Sequence, residues 1–431
     1  MVKPIAIIPA LAAFGAALDL RQWGSNGPSG FGGGSSSWSS PGAVSSQFSG
    51  SSTSGSGSSS SSSSSDASSS SVSSSSDDDA SSTYTSSGAS ASGSASSSTS
   101  SSSSAQGSSV SSSSSSSTSS SSSSRTTAPS GSITVCTSGC DYTTIQDAVD
   151  SLDTSSSSAQ SIFISSGTYT EQVTIPTLGG ALTIYGETED TSDYSGNVVS
   201  IEHSSSLASG AADDEHTGTL IIEADNVAVY NIDIKNTYGE GSQAIALSAY
   251  GSSQGYYGVG LYGYQDTLLA ETGYQIYANC YIEGAVDFIF GQEARIWVVG
   301  STIASIGAGA ITANGRDSED NVSYYVFDSC TIQAGSTDPG EGVVYLGRPW
   351  EPYARVAFQS CTLSDIIASA GWEEWSSSEP NTDDVTFEEY NNSGDGASGT
   401  RASFATTMTS ALTIDTILGS DYADWVDADY I

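Results

Sequence analysis

Positive charge is almost missing from this chain. Its 431 residues hold nine Lys and Arg against 48 Asp and Glu, a formal net charge of −39. Phosphate binding needs a basic footprint, so nucleic acid is excluded as a partner. Any other polyanion would be repelled at long range and held only by short-range contacts. Histidine is scarce as well, with His203 and His216 alone. The cysteines number five, which suits a secreted chain but defines no disulfide framework. Cys136 and Cys140 lie close enough in sequence to pair across a small loop. Long apolar runs are also missing. The stretch Ile5–Phe14 is too short for a membrane span, so no membrane attachment is expected. It follows Lys3 and precedes the small residues Gly15-Ala16-Ala17, the pattern of a secretory signal over residues 1–17. The acidic C-terminal segment SDYADWVDADYI is unlike a lipid-anchor signal. The expected location is extracellular.

What is present falls into two compositions. Residues 18–131 form a low-complexity region, mostly Ser from 33 to about 127. With almost no large apolar side chain it has no core to build and is expected to be disordered, in the manner of an O-glycosylated stalk. From Ser132 onward Val, Ile, Tyr, Gly and Thr dominate, and residues 132–431 suit one large all-β unit. Asn321-Val-Ser323 and Asn391-Asn-Ser393 are N-glycan acceptor sequons.

Within the second part a short pattern recurs: YNIDIKN (230–236), YGVGLYG (257–263), ANCYIEG (278–284), VGSTIAS (299–305), DSCTIQA (328–334) and QSCTLSD (359–365). Aligned on one apolar position these give Ile234, Leu261, Ile282, Ile303, Ile332 and Leu363, at steps of 27, 21, 21, 29 and 31 residues. Apolar alternation inside each segment predicts a β-strand, and recurrence every 20–30 residues predicts a solenoid of parallel strands. The fold class is therefore all-β, a single-stranded right-handed parallel β-helix. Ile232, Val259, Cys280, Ser301, Cys330 and Cys361 share one phase, which makes those three cysteines small packing residues rather than disulfide partners. TTIQDAVDSL (143–152) spaces Ile145, Ala148, Val149 and Leu152 as one helical stripe, a short N-terminal cap for the first coil. C-terminal loops and short helices complete the expected unit.

The repeat also sets two acids on each other. Asp266 follows Leu261 by five residues and Asp287 follows Ile282 by five, so both occupy one phase of successive coils. Parallel strands lie ~4.8 Å apart, which stacks the two carboxylates. Two like charges so close do not both ionise readily; one pKa is expected to rise while the other stays low, the usual route to an acid and a nucleophile at one pH. Asp287 sits in GAVDFIFG (284–291) between Val286 and Phe288-Ile289-Phe290, where an ionised group is costly unless something holds it.

The blocks GYQDTLLA (263–270), YANCYIEGAVDFIFG (277–291), ITANGR (311–316) and YLGRPW (345–350) resemble the pectin methylesterase (pectinesterase) family, in its fungal form. QAIAL (243–247), GWEEW (371–375), YTTIQDAV, SGTYTEQVTI (166–175) and LTIYGETEDT (182–191) extend the resemblance over about residues 132–431. It implies a parallel β-helix and hydrolysis of the C6 methyl esters of pectin. It implies Asp287 as nucleophile, Asp266 as acid and then base, and Gln243 and Gln265 as oxyanion donors. Arg348 would pair with the nucleophile, and Trp350 would carry a sugar ring; Arg348, Gln243 and Trp350 would also touch substrate. Arg316 is assigned to structure, and Phe288 and Phe290 to the coil core. No metal or organic cofactor is expected; the partner would be methyl-esterified homogalacturonan, and the protein a monomer.

Three rivals are weaker. GSSQG (251–255) fits the serine-hydrolase elbow, but both histidines precede Ser253 and no strand-turn-helix surrounds it. A pectin-cleaving glycosidase or lyase would also suit a β-helix with paired carboxylates, yet no histidine lies near Asp266 or Asp287. A stalked wall-binding protein without catalysis would need neither aspartate.

Overall fold

The computed structural model describes residues 123–431. The signal segment 1–17 and most of the Ser-rich region lie outside the described residues. The described chain is a parallel β-helix: three parallel sheets of eleven, seven and eight strands, each coil laying one strand on each wall.

Registers follow the repeat residue by residue. Ile234 pairs with Leu261, Leu261 with Ile282, Ile282 with Ile303, Ile303 with Ile332, and Ile332 with Leu363. All six are buried and form one ladder of the core. Each such side chain taken from water contributes about 1.5–3 kcal/mol. The second phase is buried too, and the residue just before each of its members turns the corner. Asn231, Gly258, Asn279, Gly300, Ser329 and Ser360 all take φ between 52° and 59°. That left-handed conformation suits Gly and Asn, and it swings the chain from the eleven-stranded wall into the eight-stranded one. Cys280, Cys330 and Cys361 are free, buried thiols whose Sγ atoms donate to backbone carbonyls of neighbouring strands. Burial pushes the Cys280 thiol up to about 12. Cys136 and Cys140 form the disulfide.

The first coil is closed by α1 (Ile145–Asp150), which buries Ile145, Ala148 and Val149 on the core. Thr144 caps it, accepting from Asp147 N, and the Glu171 carboxylate accepts from Ile145 N and Gln146 N. Near the C-terminus Ile417, Leu418 and Val426 cover the outer face of the eleven-stranded sheet along its middle strands, with Tyr257, Ile276 and Trp297. The folded part begins earlier than composition suggests. Arg125 pairs its backbone with Thr188, donates to Asn231 Oδ1 and Gly186 O, and lies over the rings of Tyr185 and Tyr230. Arg125 thus ties residues just upstream of 132 to the coils. The two sequons also differ. Asn321 spends its amide on Gln292 O and Asp317 Oδ1, whereas Asn391 is exposed at a left-handed corner.

Four consecutive strands of the seven-stranded wall position the site: β1 (Leu268–Thr272), β2 (Ile289–Gly291), β3 (Gly309–Asn314) and β4 (Val344–Pro349).

The interior ladder carries a direct stability test. Ile282→Ala should lower the folding free energy by roughly 2–5 kcal/mol through lost burial and a cavity. Urea titration should show a lower midpoint with an unchanged slope; a change under about 0.5 kcal/mol would mean that the ladder does not hold the coils together.

Candidate active site

Asp266 and Asp287 enter β1 and β2 from equivalent corners. Asp266 N donates to Val286 O at 3.1 Å, and Gln265 bridges Val286. Both aspartates have positive φ, 64° and 49°. This left-handed step interrupts strand alternation, so Phe288 and Ile289 both turn into the core while Asp287 stays on the outer wall. Asp tolerates the conformation better than a β-branched residue does.

Arg348 completes the pair. On the outer face Phe290, Ala313 and Arg348 share one rung across β2, β3 and β4. The small Ala313 lets the guanidinium reach back over β3. Nε donates to Asp287 Oδ1 at 2.8 Å and Nη2 to Oδ2 at 2.6 Å, a two-point fork that fixes the carboxylate plane. The Trp375 indole roofs the guanidinium, with Arg348 Cζ 4.5 Å from the ring centre. Gly347 bridges Trp372, which puts Glu373 on the next rung beside Arg348.

The electrostatics depart from the sequence expectation in one respect. Burial, then the Asp287 charge, then the Asp214 charge hold the Asp266 carboxyl well above the usual range, against Arg348. Asp287 does not stay low. Its burial outweighs the hydrogen bond and charge of Arg348, so its pKa is also raised, though less than that of Asp266. The order needed for one acid and one ionised carboxylate is kept, but through unequal rises.

Gln243 and Gln265 are half-buried on adjacent coils, with Ala244 N donating to Gln265 O at 3.1 Å. Ser242 Oγ donates to Gln243 Oε1, leaving the NH2 end for another acceptor. The Gln265 amide lies against the Asp266 carboxyl. Trp350 tilts over Phe290 at 6.2 Å. Phe290 therefore does not belong to the coil core: it packs with Ile245, Leu269 and Ala313 in an outer apolar cluster joined by Trp350 and Trp375. The left-handed corner at 287 shifts the phase and turns Phe290 out. Gly315, of the ITANGR block, makes room for Trp350; a Cβ there would lie 2.7 Å from the indole. Arg316 is structural, spending its guanidinium on the carbonyls of Asn321, Tyr353 and Glu319. Glu373 and Trp375 of GWEEW and Gly315 of ITANGR carry no charge pairing or repeat phase in the sequence that marks them as part of the site. Asp213, Glu215 and His216 converge within 4.8 Å as a metal site would, but Asp213 Oδ1 is already bonded to His216 Nδ1. Ser253 is a corner residue with φ 58°, and no histidine bonds to it among the described residues.

Comparison with known proteins places this architecture among the β-helical ester hydrolases. The family model described as Pectinesterase matches residues 132–414. A pectinesterase of Aspergillus niger is 54% identical over 308 residues, covering 70% of this chain and 93% of its own length. One of Aspergillus aculeatus is 53% identical over 312 residues, with the same coverage. The crystal structure of an Aspergillus niger pectin methylesterase aligns with TM-score 0.67 at 45% identity, covering 71% of this chain and 100% of that one. The carrot pectin methylesterase aligns at 0.63 with 25% identity, covering 71% and 98%. The chain belongs to the pectinesterase family and is a carboxylic ester hydrolase.

The raised acid has a consequence for stability. An aspartate that keeps its proton in the folded state and loses it in the unfolded state costs stability as pH climbs above the unfolded pKa of about 4. Asp266→Asn should therefore melt higher than the wild type at pH 7, with the gap closing towards pH 4. Equal melting curves across that range would show that Asp266 is not held protonated.

Proposed function

We propose that the protein removes the C6 methyl esters of pectin, leaving pectate and methanol. The observation that carries this reading is the two-point fork between Arg348 and Asp287 beside a second carboxyl pushed far up, in a chain of this family. Asp287 attacks the ester carbonyl carbon. The C=O pair moves onto oxygen, and the amide NH2 groups of Gln243 and Gln265 receive the oxyanion. When the intermediate collapses, the bond to methoxide breaks. Asp266 delivers its proton to that oxygen and methanol leaves. An anhydride then joins Asp287 to the sugar acid. Water attacks the sugar-side carbonyl and gives one proton back to Asp266; the bond to Asp287 breaks, Asp287 leaves as carboxylate, and the new sugar acid releases water's second proton to solvent as it ionises.

Arg348 holds the nucleophile ionised and aimed, and the sugar ring packs on Trp350, which Gly315 and Phe290 support from below. None of these steps calls for a metal or organic cofactor. The acidic, signal-bearing chain is read as an extracellular monomer, with residues 1–17 removed, the Ser-rich region serving as a spacer, a glycan shield or a wall-retention segment, and no membrane or nucleic acid involved. Among the described residues no helix is long and apolar enough to cross a membrane.

Methanol release and chain cleavage should be followed together on methylated pectin. The wild type should release methanol without shortening the polymer. Asp287→Ala should lose at least roughly a thousandfold in kcat, and Arg348→Lys, with no second tooth to the fork, roughly a hundredfold. Full esterase activity in Asp287→Ala with loss of pectin binding would favour a wall-binding protein, and chain cleavage by the wild type would favour a glycosidase or lyase.

A further inference from the structure

The mechanism leaves one carboxylate beside the site unused. Asp214 lies just before the turn Glu215–Thr217, and that turn is pinned to the coil preceding Asp266. Thr217 Oγ1 donates to Asp214 O at 2.7 Å and accepts from Ile245 N at 3.0 Å. Asn236 Nδ2 donates to Thr217 O and to Ile245 O. Ser248 Oγ holds Glu215 O. One residue before Ile245, Ala244 N bonds Gln265 O, the neighbour of Asp266. These bonds hold the Asp214 turn against the segment that leads from Gln243 to Ile245 beside Gln265, and Asp214 Oδ1 is buried there with no hydrogen-bond partner among the described residues. An unpartnered buried carboxylate oxygen costs stability and cements no structure, which calls for another role.

We propose that Asp214 is a positioning residue of the ester site, its negative charge keeping Asp266 protonated for the departing methoxide. The inference rests on the reading of Asp266 as the acid. The charged groups facing Asp266 are Asp287 from the following coil, Asp214 from this turn and Arg348 from β4, with the neutral Gln265 beside it. Two of the three are anions, and they act in the same direction. Asp214 itself faces Asp213 on its own turn and the Tyr250 ring from the strand Leu247–Tyr250. Arg348 bonds Asp287 through Nε and Nη2 and makes no such bond to Asp266, so the arginine offsets burial chiefly at the nucleophile.

The test is the pH profile of kcat/KM on methylated pectin. In Asp214→Asn the alkaline limb, set by loss of the Asp266 proton, should move down by roughly 0.5 to 1 pH unit while the acid limb stays in place. Asp214→Glu, which restores the charge, should return the limb towards the wild type. A merely structural role would lower kcat at every pH without moving either limb. Profiles of Asp214→Asn and wild type that overlay after scaling would overturn the proposal; Asp214→Ser provides the same neutralisation should the Asn variant not fold. Asp266→Asn measured alongside separates the two levels. If its residual activity has lost the alkaline limb and Asp214→Asn shows no shift, this proposal alone fails. If the limb survives in Asp266→Asn, the assignment of the acid fails beneath it.

Discussion

The hydrogen-bonded rung between parallel strands is the constraint on which this protein depends. Rungs about 4.8 Å apart repeat whatever stands at one phase of a coil directly above the same phase of the next. Where the repeated residue is Ile or Leu the outcome is a dry core ladder from Ile234 to Leu363. Where it is Asp the outcome is two acids in near contact, an arrangement that a fold without exact repetition reaches only by bringing distant segments together. The same geometry therefore supplies the cohesion of the coil and the tension of the site. Left-handed corners serve both: they turn the chain between walls at Asn231 and Asn279 and push Asp266 and Asp287 outward from apolar sequence.

Scarcity of positive charge sharpens that tension. Most cations in the described part are committed elsewhere: Arg316 and Arg355 to carbonyls, Arg401 to Glu389, Lys235 to Asp233 and Glu202. Arg348 serves Asp287, with Nε and Nη2 both taken by its carboxylate. It orients the carboxylate more than it neutralises the site, since burial still prevails in the Asp287 balance. A more cationic wall would settle both aspartates as ordinary ionised groups and leave no proton to donate.

The fold was legible because its period is written in side chains. The six aligned segments predict the pairing of Leu261 with Ile282 to the residue, and the step of 21 places Asp266 over Asp287. The family blocks carry Arg348 to its partner across 61 positions of sequence. What stayed hidden depends on desolvation and on loops of unequal length. No pattern announces that burial of Asp287 exceeds the pull of an arginine. Phe290 reads as core because alternation is assumed to continue through Asp287, and the left-handed corner breaks it. Trp375 stands in a quoted block, yet its stacking on Arg348 depends on how the segment after β4 returns to the wall. Asp214 lies in a turn with no repeat and no motif. Arg125 lies in Ser-rich composition with no repeat or motif to mark its packing on Tyr185 and Tyr230.

Arg125 also fixes where the folded body is approached. It rests on Tyr185 and Tyr230 of the eleven-stranded wall, where Tyr430 near the C-terminus packs against the same tyrosine rank and bonds Thr191 O. Both ends of the described chain therefore dock on the eleven-stranded wall, and the Arg348–Asp287 pair lies on the seven-stranded one. The first described residues therefore meet the coils on a different wall from the one that carries Asp287 and Arg348, and substitutions at either place leave the other undisturbed.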